Sequence, residues 1–159
     1  MLLRRIARPL FATWFITEGL DVVRHPGVHA VDARGALARL ERRLPTELPD
    51  VSDRQLSLAV QAHGAALAGA GALLAFGKAP RTAALALAVL TAPLVVVNLP
   101  DKDADRRDPV LRKARRERLV RALAFTGGAI LAGADLEGRP GISWRIEQAR
   151  ARHAKPADD

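Results

Sequence analysis

The chain has 159 residues, of which 49% are apolar, 26% are charged and only 4% are aromatic, and its formal net charge is +8. This length suggests one domain, or at most two. Because the chain contains no cysteine, disulfides, thiolate nucleophiles, iron–sulfur clusters and cysteine zinc sites are excluded. The absence of tyrosine removes another common catalytic side chain.

Charged residues are absent from two long stretches in the middle of the chain. Residues 55–77 and 82–100 contain no Asp, Glu, Lys or Arg, and a short basic turn separates them. A helix needs about 20 mainly apolar residues to cross a bilayer, so these stretches predict a membrane-spanning helical hairpin. A soluble four-helix bundle would instead carry charged residues along the outer face of each helix.

Two weaker apolar stretches flank this hairpin. Residues 6–23 are interrupted by Glu18 and Asp21, and residues 119–136 contain Arg121 near their start. The arginine can extend to the membrane interface, whereas the two acids should face protein. A cleaved signal peptide is an alternative for the first stretch, but these acids argue against it. We predict an all-α integral membrane four-helix bundle, with spans at about 6–24, 55–77, 82–99 and 119–136.

The connector after the first span predicts an additional amphipathic helix over residues 31–44. Its leucines share one face and its arginines fill most of the rest. Such a helix can lie on the membrane surface with its arginines toward anionic headgroups, or it can cap the bundle outside the membrane. Pro26 and Gly27 are expected to end the preceding helix.

Two further local features organise the chain. Ser52 and Gln55 match a capping box that starts the second span. Pro93 is expected to kink the third span, unless neighbouring groups satisfy the freed carbonyl. We predict one transmembrane domain over residues 1–149, followed by a disordered tail at 150–159.

Small residues crowd the second and fourth spans. Small side chains let helix backbones approach closely in lipid. We expect them to pack the four helices of one chain against each other, with homo-oligomerisation through the same faces as the alternative. The residues are Gly64, Ala68, Gly69, Ala70, Gly71, Gly127, Gly128, Ala132 and Gly133.

Polar residues inside the predicted spans gather toward one side of the membrane. Counting from the helix ends at 1.5 Å per residue places them in one leaflet, while the opposite half of the bundle is nearly free of polar groups. Gln61 and His63 are about 200° apart on their helix, so they cannot point at the same place. This candidate intramembrane polar pocket consists of Glu18, Asp21, Gln61, His63, Asn98 and Arg121.

The polar cluster has a functional and a structural interpretation. Ionisable residues inside a membrane are costly and often functional, and histidine exchanges protons near neutral pH, which would suit a ligand pocket or a proton relay. In the structural interpretation, Arg121 pairs with Glu18 or Asp21 and fixes the first helix against the fourth. His63 is then a hydrogen-bonded core residue.

No catalytic residue set and no metal site is predicted. His25 and His29 are four residues apart, but the intervening Pro26 and Gly27 should prevent their alignment on one helix face. No phosphate loop, nucleophile motif or zinc motif occurs in the chain. Because the basic residues alternate with acids on the connectors, lipid headgroups are the expected counter-charge and nucleic acid is not an expected partner.

Three stretches carry a resemblance to a known family. They are the opening LLRRIARPLFATWFITEGLDVVRHPG, the segment QAHGAALAGAGALLAFGKAPR of the second span, and FTGGAILAGADLEGRPGISWR, which begins in the fourth. Through these stretches, which cover about half of the chain, the sequence resembles the DoxX family of small bacterial membrane proteins with four helices.

The resemblance implies a multi-pass protein of the bacterial cytoplasmic membrane with a role in redox homeostasis. The family includes a subunit of a thiosulfate:quinone oxidoreductase, and membrane partners of superoxide dismutase and a sulfurtransferase in oxidative stress. This sequence departs from a thiol relay because it has no cysteine. It also has Arg121 and Ala122 where similar proteins often carry a Lys–Asn pair, so a cation is kept and an amide is lost.

We therefore expect a non-catalytic membrane subunit or anchor of a redox or oxidative-stress complex, without a cofactor of its own. Its charged connectors, with Arg39, Arg42 and Arg43, would dock soluble redox enzymes or other membrane subunits. The alternative is a subunit of a quinone-linked oxidoreductase, whose polar pocket binds the quinone head group. Lys and Arg are divided too evenly between the two sides to predict the orientation.

Overall fold

The computed structural model of the protein describes residues 2–42 and 51–134, and every secondary-structure element in this part of the chain is an α-helix. The all-α prediction is therefore confirmed for these residues, whereas the predicted tail at 150–159 lies outside them. The helices are α1 (Leu2–Arg24), α2 (Pro26–Glu41), α3 (Asp53–Ala75), α4 (Pro80–Leu90), α5 (Ala92–Val97), α6 (Lys102–Arg107) and α7 (Pro109–Ala134).

The long helices pack in a ring. Helix α1 lies against α3, α3 against α4, and α4 against α7. Aromatic side chains close the ring between α7 and α1, because Phe125 stacks on Trp14 with ring centroids 4.2 Å apart and contacts Phe11 and Phe15 at 5.7 and 5.5 Å. Ala12, Phe15, Leu67 and Leu87 form the fully buried centre.

Glycines bring α1 and α3 into backbone contact. A Cβ atom built on Gly19 would lie 2.5 Å from the carbonyl oxygen of Gly64, and a Cβ on Gly64 would lie 2.7 Å from the Val22 side chain. Gly71 is similarly closed off by Ile16, whereas a Cβ on Gly69 would meet nothing within 4 Å. Most of the small residues at this contact therefore pack the helices of a single chain, as the sequence predicts.

The third predicted span is interrupted in its second half. Helix α4 ends at Leu90, Thr91 forms a turn, and α5 begins at Ala92. Pro93 has no N–H to donate to the preceding turn, and this accounts for the interruption two residues before the predicted kink.

The described parts of both connectors are largely helical. Helix α2 begins at Pro26, five residues before the predicted amphipathic helix, because proline is well suited to the first position of a helix. It packs against α3 and α5. Ser52 caps α3 with the predicted capping box, in which Gln55 N–H donates to Ser52 Oγ at 3.3 Å and Ser52 N–H donates to Gln55 Oε1 at 3.1 Å.

Among the described residues, two helical segments are long and apolar enough to cross a membrane, Asp53–Ala75 and Pro80–Val97. The buried core helix of a soluble protein can have the same length and composition. In each of these two segments, however, only a small share of the most apolar 18-residue stretch is buried inside the protein, 28% in Asp53–Ala75 and 22% in Pro80–Val97. Helices α1 and α7 overlap the other two predicted spans but carry more charge. Membrane insertion of all four segments stays a prediction.

Candidate functional site

A cavity of about 290 Å³ opens at the end of the bundle where α2 lies. Five helices contribute to its wall: α1, α2, α3, α5 and α7. The apolar part of the wall includes Val22, Ala59, Val60, Leu94 and Val97, and the polar part consists of Glu18, His29, Asp32, His63, Asn98 and Arg118. The site is therefore an apolar chamber with several ionisable groups.

His63 is fixed by the interruption between α4 and α5. Its Nε2 lies 2.7 Å from the carbonyl oxygen of Leu90, the last residue of α4. Because a carbonyl can only accept, Nε2 carries the hydrogen in this contact and Nδ1 is the remaining acceptor of the neutral ring. The broken helix thus selects the tautomer of a cavity residue.

Asn98 and Glu18 present further acceptor atoms. Asn98 uses Nδ2 to donate to the Leu94 carbonyl at 2.8 Å, which leaves its Oδ1 available. Glu18 is half-buried at the cavity wall, and among the described residues no hydrogen bond or ion pair occupies its carboxylate. Three residues with an acceptor atom free for a ligand therefore line one chamber.

The cationic side of the cavity is Arg118. Its Nη1 lies 3.4 Å from Oδ2 of Asp32, so that α7 is linked to α2 across the cavity. Both side chains are about half exposed, at 49% and 48%, so this ion pair contributes little to stability. The remaining N–H groups of the guanidinium are available to a ligand.

Asp21 lies beside the cavity and binds two histidines. Its carboxylate accepts from His25 Nδ1 at 3.0 Å and from His29 Nε2 at 2.9 Å. The break at Pro26 was expected to keep these histidines from aligning; instead, α2 starts at once and brings His29 back toward α1. His29 also lines the cavity, so the three residues lead from the surface to the chamber.

The structure brings three of the six sequence-predicted pocket residues together and places three elsewhere. Glu18, His63 and Asn98 line the cavity. Gln61 donates to the Val23 carbonyl at 3.2 Å, on the α1 side of α3. Arg121 is exposed in a groove on another face of α7, with Lys113 and Phe125. No ion pair joins it to Glu18 or Asp21 in the part of the chain that the structure describes.

Sequence reasoning did not identify Arg118, His29 or Asp32 as cavity residues. Arg118 precedes the apolar stretch of α7, and the other two belong to α2, whose path back over the bundle depends on tertiary contacts. Proline at the first helical position was the available signal for that path.

No group of three His, Cys, Asp or Glu side chains suited to a metal ion occurs among residues 2–42 and 51–134.

Comparison with known proteins gives no relative. The chain matches no protein-family model, and neither the curated proteins nor the solved structures provide a match.

Proposed function

We propose that the protein is a multi-pass membrane protein of the DoxX type, located in the bacterial cytoplasmic membrane, whose cavity binds a quinol head group. Four segments would cross the bilayer: α1, α3, α4 with α5, and α7. The cavity at the α2 end carries the proposal, because an apolar chamber with a few converging polar groups is the usual form of a small-ligand site.

Membrane insertion is supported by the outward-facing side chains. Soluble monomers rarely expose large contiguous apolar surfaces, yet all four segments present large apolar residues to their surroundings. These include Ile6, Leu10, Leu58, Leu73, Leu85, Val89, Ile130 and Leu131, each about half exposed or more. A lipid environment would cover these side chains, while the charged α2, α6 and first turns of α7 would lie at or beyond the interface.

Insertion is testable by fractionation of cells that express the full chain. We expect the protein to stay in the membrane pellet after an alkaline carbonate wash, which removes peripheral proteins. Recovery in the soluble fraction would contradict the proposal.

The hydrogen-bonding groups of the cavity favour a quinol over the oxidised quinone. Glu18, His63 Nδ1 and Asn98 Oδ1 can accept hydrogen bonds, and a quinol ring donates through its two hydroxyl groups. Arg118 can donate to one hydroxyl oxygen. The apolar wall suits the flat face of the ring, and a volume of about 290 Å³ lies near the lower end of ligand pockets.

Quinol binding is testable by calorimetric titration of the purified full chain in detergent with a short-chain ubiquinol. We expect Glu18→Gln to weaken binding about ten-fold, because a hydrogen bond to a charged group contributes about 1.5 kcal/mol or more. Arg121→Gln is the matched control, since Arg121 lies outside the cavity and should leave the affinity unchanged. Equal affinities of the wild type and Glu18→Gln would refute the assignment.

A role as the membrane subunit of a redox complex is consistent with this site. Oxidation of a quinol to the quinone releases two electrons and two protons. Glu18 and His63 in the cavity wall could accept the protons, and, since a chain without cysteine has no thiol to receive the electrons, a two-electron redox group of a partner protein would be the oxidant. Arg39 does not suit the expected docking surface, because its Nη2 donates to the Val97 carbonyl at 2.7 Å and its Nη1 lies 3.7 Å from Asp101. Arg42 is exposed, and Arg43 lies outside the described residues.

A further inference from the structure

The outer face of α7 combines basic and apolar side chains along one groove. Lys113, Arg116 and Arg121 provide three cations, and Val120, Ala124 and Phe125 provide the apolar surface. We call these six residues the α7 groove. They span residues 113–125, or about 18 Å of helix at 1.5 Å per residue.

The cations of the α7 groove are poorly neutralised within the protein. Glu117 is the acid of this face, and its carboxylate lies 4.0 Å from Lys113 Nζ in a well-exposed pair. Exposed pairs of this kind are weak. Arg116 and Arg121 are exposed, and the structure gives neither a hydrogen bond nor an ion pair among the described residues.

Charge and apolarity are arranged along the groove in the order that a phospholipid requires. Lys113 and Arg116 lie toward the connector that precedes α7, whereas Ala124 and Phe125 lie two to three turns further along the helix. Arg121 lies between these groups, close to the apolar surface of Val120. A headgroup phosphate at the basic end would thus place its acyl chain on the apolar end.

We propose that the α7 groove binds an anionic phospholipid, with the phosphate at Arg116 and Arg121 and an acyl chain against Val120, Ala124 and Phe125. This inference rests on the proposed membrane insertion, but not on the quinol cavity. A lysine or arginine near an anionic membrane surface raises association about five-fold. Two uncompensated arginines are therefore enough to discriminate anionic from zwitterionic lipid.

Trp14 provides a local reporter of this site. It stacks on Phe125 with ring centroids 4.2 Å apart, and the chain contains only one other tryptophan, Trp144. In a Trp144→Phe background of the full chain, the fluorescence of Trp14 would be quenched by lipids with brominated acyl chains that occupy the groove.

The experiment compares brominated phosphatidylglycerol with brominated phosphatidylcholine, each at the same fraction in phosphatidylcholine bilayers. We expect phosphatidylglycerol to associate at least about five-fold more strongly with the Trp14 site. Arg116→Gln with Arg121→Gln should bring this ratio close to one. The matched control is Arg106→Gln with Arg107→Gln, which removes the same charge from exposed positions on α6 and should preserve the ratio.

Equal quenching by the two lipids, quenching by neither, or an equal loss in the two double variants would overturn the lipid site. Failure of the carbonate test would instead remove membrane insertion itself. Loss of the lipid preference with retained membrane insertion and quinol binding would leave the proposed function standing.

Discussion

Two adjacent residues of α3, Gly64 and His63, make different kinds of contact with neighbouring helices. Gly64 faces α1, where the carbonyl oxygen of Gly19 would lie 2.9 Å from an added Cβ. His63, about 100° further around the helix, donates to the Leu90 carbonyl, where α4 gives way to α5. At Gly64 the backbones of α3 and α1 are in contact, and we call this the closed side of α3. At His63 the helix borders a cavity, and we call this the open side.

The difference shows how a chain of small residues can be tightly packed and still hold a chamber. Close approach of α1 and α3 needs only the absence of side chains, which glycine provides. The cavity lies beside the interruption between α4 and α5, where His63 holds the Leu90 carbonyl. A substitution can therefore disturb the contacts of the closed side, those of the open side or neither. The three cases should differ in how much stability the protein loses.

The largest expected effect is on the closed side. Gly19→Ala would place a Cβ 2.5 Å from the Gly64 carbonyl oxygen and 2.6 Å from the Ala68 nitrogen. Because both obstacles are backbone atoms, the helices must move apart, and we expect a loss of about 3 kcal/mol in the free energy of unfolding. Thermal unfolding followed by circular dichroism in detergent would measure the loss.

Gly69→Ala is the control for this change. It adds the same methyl group to α3 where nothing lies within 4 Å, so it should be neutral or should stabilise the helix by about 0.5 kcal/mol. If both alanines lowered the melting temperature equally, the backbone contact would not be the cause.

An intermediate effect is expected on the open side. His63→Ala removes the donor to the Leu90 carbonyl and should cost about 1–2 kcal/mol of stability. In a Pro93→Ala background, residue 93 regains an N–H, and the helix can continue across Thr91. Leu94 N–H can then replace His63 as the donor to the Leu90 carbonyl. Unfolding of the four proteins in a double-mutant cycle should then show a cost for His63→Ala of about 0.5 kcal/mol or less. An unchanged cost would show that the interruption and the histidine act independently.

The smallest effect is expected away from both sides. Ser52→Ala removes the capping box of α3 and should cost about 1 kcal/mol of stability or less. The affinity for a short-chain ubiquinol should not change, because Ser52 does not line the cavity. A change in affinity similar to that of Glu18→Gln would mean that the cavity responds to general loosening of α3.

Much of the architecture could be predicted from the sequence because it depends on local chemistry. The charge-free stretches predicted α3 and the α4–α5 segment, Ser52 with Gln55 predicted a helix start, and Pro93 predicted an interruption. The packing of Gly64 was also expected from its size. Each of these follows from a residue's own properties and its immediate neighbours.

The composition of the cavity could be predicted only in part. Depth along a helix can be counted from the sequence, and it placed Glu18, His63 and Asn98 at one end of the bundle. Rotation about the helix axis cannot be counted in the same way, because it depends on which face packs against a partner. Arg118 and Arg121 differ by less than one turn, yet Arg118 lines the cavity while Arg121 faces the outer groove.

The turn between α3 and α4 has a consequence for protein engineering. Ala79, the residue before α4, adopts a left-handed conformation with φ of +47° and provides no side-chain cap. A left-handed alanine costs about 1 kcal/mol or more, and glycine or asparagine tolerates this geometry better. Ala79→Gly and Ala79→Asn should therefore raise the melting temperature. Because Ala79 does not line the cavity, these variants would be more stable proteins for purification in detergent with an unchanged cavity.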